Sequence, residues 1–416
     1  MSWREAAGLV VVLATLAGVA VGRYPWLRMN RATIALVGAT LVVALGVLPL
    51  SAAFGAIDLD TLALLLGMMV LNTNLRLAGF FALVGRWVSA TARTPRQLLA
   101  LVVLAGGGLS AVFLNDTMAL MLTPLVVEIA AAGGRRPLPY LVALATAVNV
   151  GSVATLVGNP QNMLIGSASG ISFLRFSAAL APVAAVGLAI VWAVIVLVYR
   201  RDFGSAALPP HLLAQEAPPA RVYRPLLRKS GWASLLLVAA ILAGAPLPLA
   251  ALLAASLLLV TRRLKPERVF REVDWSLLVF FAALFVVTAA LEPLGVTAAL
   301  FELARPLLAG ELAGGVPGLA AAGAVLSNLV SNVPAVLLLR PLVPRLPDPE
   351  HAWLVLAMGT TLAGNLTLLG SVANLIVAEL ARGRGVRVAF GEYLKAGVPI
   401  TLLTLAWGVA WLAWLA

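Results

Sequence analysis

Hydrophobic residues run along this chain in blocks long enough to cross a bilayer, separated by short polar loops. A membrane-crossing helix needs about 20 mostly apolar residues. Such runs fall at 7–22, 32–50, 61–80, 98–131, 139–166, 177–199, 231–246, 248–260, 275–292, 317–343, 352–380 and 396–415. Four are anomalous. The run 98–131 is too long for one span and is interrupted at Asn115-Asp116; 317–343 is interrupted at Ser331-Asn332. The runs 139–166 and 352–380 each carry a Gly/Asn break at mid-depth. We read the first pair as re-entrant hairpins and the second pair as broken spans. Segment 294–312 reads as an interfacial helix, and 7–22 as an uncleaved first span.

Composition agrees with the pattern. Of 416 residues, 62% are hydrophobic and 11% charged, against roughly a quarter charged in a soluble domain. A soluble fold or a disordered chain is excluded, and an all-α polytopic membrane protein of the cytoplasmic membrane is left. The net charge of +12 would suit nucleic acid, but its placement is a topology signal. With the loop 23–31 set as cytoplasmic, the cytoplasmic loops collect 23 of the 29 Lys and Arg, and both termini fall outside. No nucleic-acid partner is expected. There are no cysteines and two histidines, His211 and His351 in loops, so thiol, zinc-protease and metal-cluster chemistry are excluded. The Pro-rich stretch 201–230 is a cytoplasmic linker near the midpoint.

The two halves resemble each other. Ile57-Asp58 and Gly79 match Val273-Asp274 and Gly295 at an offset of 216. SAVFLNDTMALMLTPLV from Ser110 matches SNLVSNVPAVLLLRPLV from Ser327 at 217, and TLVGNPQNMLI from Thr155 matches TLLGSVANLIV from Thr367 at 212. By the charge count the first hairpin enters from the cytoplasm and the second from outside, so the repeats are inverted. Inverted repeats with paired broken helices mark secondary transporters, with the substrate at the midplane.

An interrupted backbone inside a bilayer leaves N–H and C=O groups that are tolerated only within protein or against water. Helix N-termini then suit an anion or a polarised oxo-species, and free carbonyls with Asn, Ser and Thr oxygens suit Na⁺. The expected substrate-binding residues are Asn115, Thr117, Gly158, Asn159, Gln161, Asn162, Ser331, Asn332, Gly370, Ser371 and Asn374. The competing reading is that small and polar residues only pack helices. Asp116 is an acid at mid-membrane, where acids are costly and mark function; its repeat partner is Val333. We assign it to a coupling ion, H⁺ or Na⁺, with Asn149, Thr155 and Thr367 as secondary ligands; helix capping is the alternative for Asp116. Arg340 is expected to snorkel to the interface, and Arg76 and Glu292 to be structural. No other cofactor is expected.

NDTMALMLTP, VGNPQNMLIG, SNLVSNVPAVLLL and GNLTLLGSVANLIVAE resemble the ion-transporter superfamily over roughly 55–400, and within it the arsenite-efflux permease and anion-permease branch. The resemblance implies scaffold helices at 1–56 and 231–271, repeats at 57–200 and 272–416 that supply a transport domain, an elevator-like motion and often a homodimer. In related divalent-anion/sodium symporters each tip reads Ser-Asn-Thr; here Asn115-Asp116-Thr117 fits the arsenite-permease side and would repel a carboxylate. The leading expectation is arsenite or antimonite efflux coupled to protons. The alternatives are a sodium-coupled carboxylate or inorganic-anion symporter, a Na⁺/H⁺ antiporter, or a channel. No GxxxxGK[ST] loop is present, so ATP-driven transport would need a separate ATPase subunit.

Overall fold

The computed structural model describes residues 3–22, 28–204, 222–260, 265–299, 302 and 315–416. The linker centre, His211 and most of segment 294–312 lie outside these residues. Among them every regular element is helical. The first half holds α1 (Trp3–Val21), α2 (Arg31–Ala44), α3 (Leu50–Ala56), α4 (Leu59–Leu77), α5 (Phe80–Thr91), α6 (Pro95–Ser110), α7 (Asn115–Ala132), α8 (Pro137–Ser152), α9 (Pro160–Ser169) and α10 (Phe173–Val198). The second holds α11 (Arg224–Leu242), α12 (Leu247–Leu259), α13 (Pro266–Phe270), α14 (Trp275–Ala289), α15 (Val316–Val330), α16 (Asn332–Leu339), α17 (Pro349–Ala363), α18 (Val372–Arg382) and α19 (Phe390–Leu415). Five of these are long and apolar enough to span a bilayer singly, and α3 with α4 forms a sixth candidate bent by 49°. The sequence pattern anticipates the long elements but not α3, α5 or α13, which are short or polar on one face.

Local chemistry sets the boundaries. Asp58 caps α4 by accepting from Thr61 N at 2.9 Å, and Asp274 caps α14 from Leu277 N at 3.0 Å. Gly79 and Gly295 follow these two helices with φ of 82° and 71°, a left-handed conformation that glycine adopts freely. Thr94, Asn159, Asp348 and Ser371 cap α6, α9, α17 and α18, three of them ahead of a proline at the first helical position.

Helix pairing in one half recurs in the other. α4 packs on α12 and α14 on α2; α6 packs on α8 and α15 on α17; α7 packs on α18 and α16 on α9. α8 packs on α10, α17 on α19, and α10 on α19. The first arm of the first hairpin packs tightly on the broken helix: a Cβ on Gly151 would sit 2.0 Å from Gly107 O, so α6 and α8 meet backbone to backbone.

The structure narrows the interruptions: Ser331, Gly158-Asn159 and Gly370-Ser371 lie in them, while the polar residues that follow, and all of Asn115-Asp116-Thr117, open helices. Asn115, Asp116 and Thr117 are not the break but the first turn of α7; the turn is 111–114. The second hairpin breaks only at Ser331, and Asn332, Val333 and Pro334 open α16. Pro160, Gln161 and Asn162 open α9, and Val372, Ala373 and Asn374 open α18. At two of them the reason is local: Asn159 and Ser371 cap α9 and α18 through their side chains, and Pro160 and Pro334 fit a first turn, where a missing N–H is not needed. Each polar motif thus leads into a helix start.

Candidate functional site

Four helix N-termini converge in the centre, those of α7, α9, α16 and α18. A hydrogen-bond lattice holds them. Asn162 Nδ2 donates to Ser152 O (3.1 Å) and Thr155 O (2.9 Å), folding the loop ahead of α9. Asn374 Nδ2 donates to Gly364 O (2.8 Å) and Thr367 O (3.2 Å), the same positions one repeat later. The lattice then crosses between halves. Asn149 Nδ2 donates to Asn374 Oδ1 (3.1 Å) and Asn365 Oδ1 (2.9 Å), and Thr361, the repeat partner of Asn149, donates to Asn162 Oδ1 (3.4 Å). Asn149 Oδ1 accepts from Asn115 Nδ2 (3.1 Å) and Ser371 Oγ (3.0 Å). Asn159 and Gln161 both donate to Thr361 Oγ1. Ser110 donates to Val148 O and Ser327 to Thr360 O, pinning each hairpin to its broken helix. Asn149, Asn159, Asn162, Asn365, Asn374 and Thr361 are all essentially inaccessible, and their side chains are satisfied by one another and by the loop carbonyls.

Above this lattice lies a cavity of about 890 Å³. Both tips face it, through Asn115 and Asp116 on one side and Ser331, Asn332 and Val333 on the other. Pro160, Gln161, Ser371 and Val372 complete the ring of helix starts. The far wall brings Asn30 and Arg31 from the start of α2 and Asp274, Ser276 and Phe280 from α14; Glu379 of α18 reaches the rim. A connected side pocket of about 210 Å³ holds Asn72, Thr73, Asp116, Thr117, Asp274 and the ion pair of Arg76 with Glu272. Asn72 Nδ2 donates to Thr117 Oγ1 at 3.4 Å, while Asn72 Oδ1 is buried without a partner. Asp116 interacts electrostatically with Asp274 and Arg31.

The predicted residues therefore divide. Asn115, Asp116, Thr117, Gln161, Ser331, Asn332 and Ser371 face one or both cavities. Gly158, Asn159, Asn162, Gly370, Asn374, Asn149, Thr155 and Thr367 line neither. They build the loops: Thr155 Oγ1 donates to Ala111 O at 2.5 Å, and a Cβ on Gly158 would meet Ser152 O at 2.4 Å. Arg340 lies 3.6 Å from Asp58. Arg76 is paired with Glu272 in the wall of the side pocket. Sequence reasoning missed Arg31, counted as a loop charge, and Asp274, used only as a repeat marker. The available signals were the Asn30 cap that starts a helix at Arg31 and the exact repeat match of Asp274 to Asp58.

Residues 11–359 match the family described as citrate transporter, CitMHS. The chain belongs to this family. Relatives along most of the chain include an uncharacterized transporter of Mycobacterium tuberculosis, 32% identical, covering 93% of this chain and 94% of the relative. The silicon efflux transporter LSI3 of Oryza sativa subsp. japonica is 31% identical, covering 92% of this chain and 93% of its own. The putative transporter arsB of Dictyostelium discoideum is 25% identical over 92% of this chain and 87% of its own. Among solved structures, MtrF of Neisseria gonorrhoeae, from a class of antimetabolite efflux pumps, superposes with a TM-score of 0.62 at 16% identity, covering 99% of this chain and 95% of its own. YdaH of Alcanivorax borkumensis gives the same TM-score and identity, covering 99% and 98%. Family and fold together make this chain a multi-pass membrane transporter of the anion-permease superfamily, related to arsB-like and silicon-efflux proteins.

Proposed function

We propose that this member of the citrate transporter family exports a small neutral hydroxylated oxyacid, with arsenite or antimonite in the trihydroxy form as the lead, and that protons drive the export. The observation that carries the reading is the lining of the central cavity. Four helix starts turn their positive dipole ends towards solute oxygens, and the lining includes the amides of Asn115, Gln161 and Asn332 and the hydroxyl of Ser371, which also hold the surrounding hydrogen bonds. Among the described lining residues the formally charged groups are Asp116, Asp274 and Glu379 against Arg31. A polycarboxylate would meet three acids and one base. A neutral polyol-like oxyacid both turns its oxygens towards the helix ends and donates to the carboxylates. The silicon efflux relative handles a substrate of related chemistry by name. Without cysteine, recognition rests on hydrogen bonds.

In this reading α6–α10 and α15–α19 form a transport unit that moves as an elevator against α1–α4 and α11–α14, in inverted repeats. Asp116 carries the coupling proton, and the cavity-facing residues hold the substrate. Thermal stabilisation of purified protein tests it, because a ligand that binds the folded state raises its melting temperature by mass action. Arsenite or antimonite is expected to raise it in a pH-dependent manner with Na⁺ or K⁺ alike. A rise with citrate or succinate only in Na⁺ would replace this reading by the symporter one.

A further inference from the structure

The repeat places one aspartate at the start of α4 and another at the start of α14, and their surroundings differ. Asp58 is closed in: its side chain is 10% exposed. Ser167 of α9 donates to its carboxylate with Oγ 3.0 Å from each oxygen, and Arg340 at the end of α16 lies 3.6 Å from Oδ2. α9 packs directly on α4 there. Asp274 instead stands exposed on the wall of the large cavity, with α18 on the other side of the opening. One side of the protein is therefore shut at Asp58 while the other is open at Asp274.

Repeat arithmetic gives the partners that a closed Asp274 would meet. The offset that pairs Asn162 with Asn374 pairs Ser167 with Glu379, within helices that run uninterrupted between those residues. The offset that pairs Asn115 with Asn332 pairs Arg340 with Thr123. Where Asp58 finds a hydroxyl donor and a guanidinium, a closed Asp274 would meet a second carboxylate and a threonine whose hydroxyl already donates to Ala119 O. Glu379 lines the same cavity as Asp274, with its side chain 78% exposed.

The geometry points to Asp58–Ser167–Arg340 as the latch that holds one side shut, and to Asp274 and Glu379 as its counterpart on the other side, which closes only when a proton is shared between the two carboxyls. Two ionised carboxylates in contact repel, whereas one proton between them makes a carboxyl-to-carboxylate hydrogen bond. The proton enters from the open cavity, binds one carboxylate and leaves when that side reopens; no bond between heavy atoms changes. Among the described residues the other charged groups here are Arg31 of α2, Asp116 of α7 and Arg382 of α18, which lies 4.0 Å from the Glu379 carboxylate, with Arg76 and Glu272 in the side pocket. This inference rests on the alternating-access part of the proposed function but not on the substrate.

The absence of cysteine makes the test direct. A single reporter, Ser276→Cys on the cavity wall, is labelled with a membrane-impermeant maleimide in right-side-out and everted vesicles between pH 5.5 and 8.5, with no substrate added. Labelling from the open side is expected to fall at least fivefold towards low pH. Glu379→Ser, which copies the Asp58 side, is expected to flatten that profile. Asp58→Asn keeps the α4 cap, since Asn caps as well as Asp, and is expected to reduce labelling from the open side by releasing the opposite latch. The disulfide pair Asp58→Cys with Ser167→Cys is expected to form and to lock the reporter in its labelled state. A profile unchanged by Glu379→Ser but abolished by Asp116→Asn would overturn the carboxyl pair. Labelling indifferent to both Asp58→Asn and the disulfide would overturn the latch.

Discussion

The two hairpin tips occupy equivalent places and are built differently. The first turns over four residues, 111–114, and then runs as an 18-residue helix that keeps Pro124 inside it. It is tied down by Asn115 N donating to Gly158 O at 2.9 Å. The second turns at Ser331 alone, with φ 79° and ψ 159°, a conformation close to glycine-only. Its α16 has eight residues and ends before Pro341, the repeat partner of Pro124. Ser331 is the one non-glycine residue with positive φ among the described residues. The first tip carries an acid at Asp116 and the second Val333. A common frame therefore holds one anchored, charged tip and one strained, neutral tip, and the lesson is that the repeat conserves position while chemistry is divided between its copies.

The strongest way to break this comparison is at the paired glycines. Gly158→Ala places a Cβ 2.4 Å from Ser152 O, and Gly370→Ala one 2.9 Å from Gly364 O. Both meet backbone, so both are expected to destabilise, by about 2–4 kcal/mol for the first and less for the second. Melting temperatures in detergent decide; the reverse order would contradict the closer packing of the first half. Next come the lattice amides. Asn162→Ala and Asn374→Ala each strip two carbonyls of their donor. Each is expected to cost about 2–3 kcal/mol, and the costs should agree because the bonds do; a cost at one position only would break the equivalence. A smaller effect of opposite sign is expected at the strained tip: Ser331→Gly should stabilise by about 1 kcal/mol, since glycine takes that backbone without penalty. Leu114→Gly, at an extended residue of the other tip, should not stabilise.

Much of the fold was legible because apolar blocks and mid-block polar residues are direct consequences of life in a bilayer. The repeat was legible because Asp58 and Asp274, or Asn162 and Asn374, perform the same bond in both copies. What escaped was the end at which each polar motif acts. Helix-opening residues were read as part of the break, although Asn159-Pro160 and Ser371 are helix-start chemistry. For the site, half of the predicted residues reach the cavity and half hold the loops, since an Asn that satisfies a buried carbonyl and an Asn that meets a solute look alike in sequence. Arg31 and Asp274 come from helices distant along the chain, and only the pairing of α2 with α14 brings them to Asp116.

Proton-driven export of a neutral oxyacid would run through the cavity that Asp116 faces. Its most direct test is arsenite flux in proteoliposomes under an imposed pH gradient, comparing the unmodified protein with Asp116→Asn. The account predicts accumulation of arsenite against its gradient on the acidic side, abolition of that accumulation by Asp116→Asn, and no dependence on Na⁺. Accumulation that survives Asp116→Asn, or flux that requires Na⁺ and ignores pH, would contradict it.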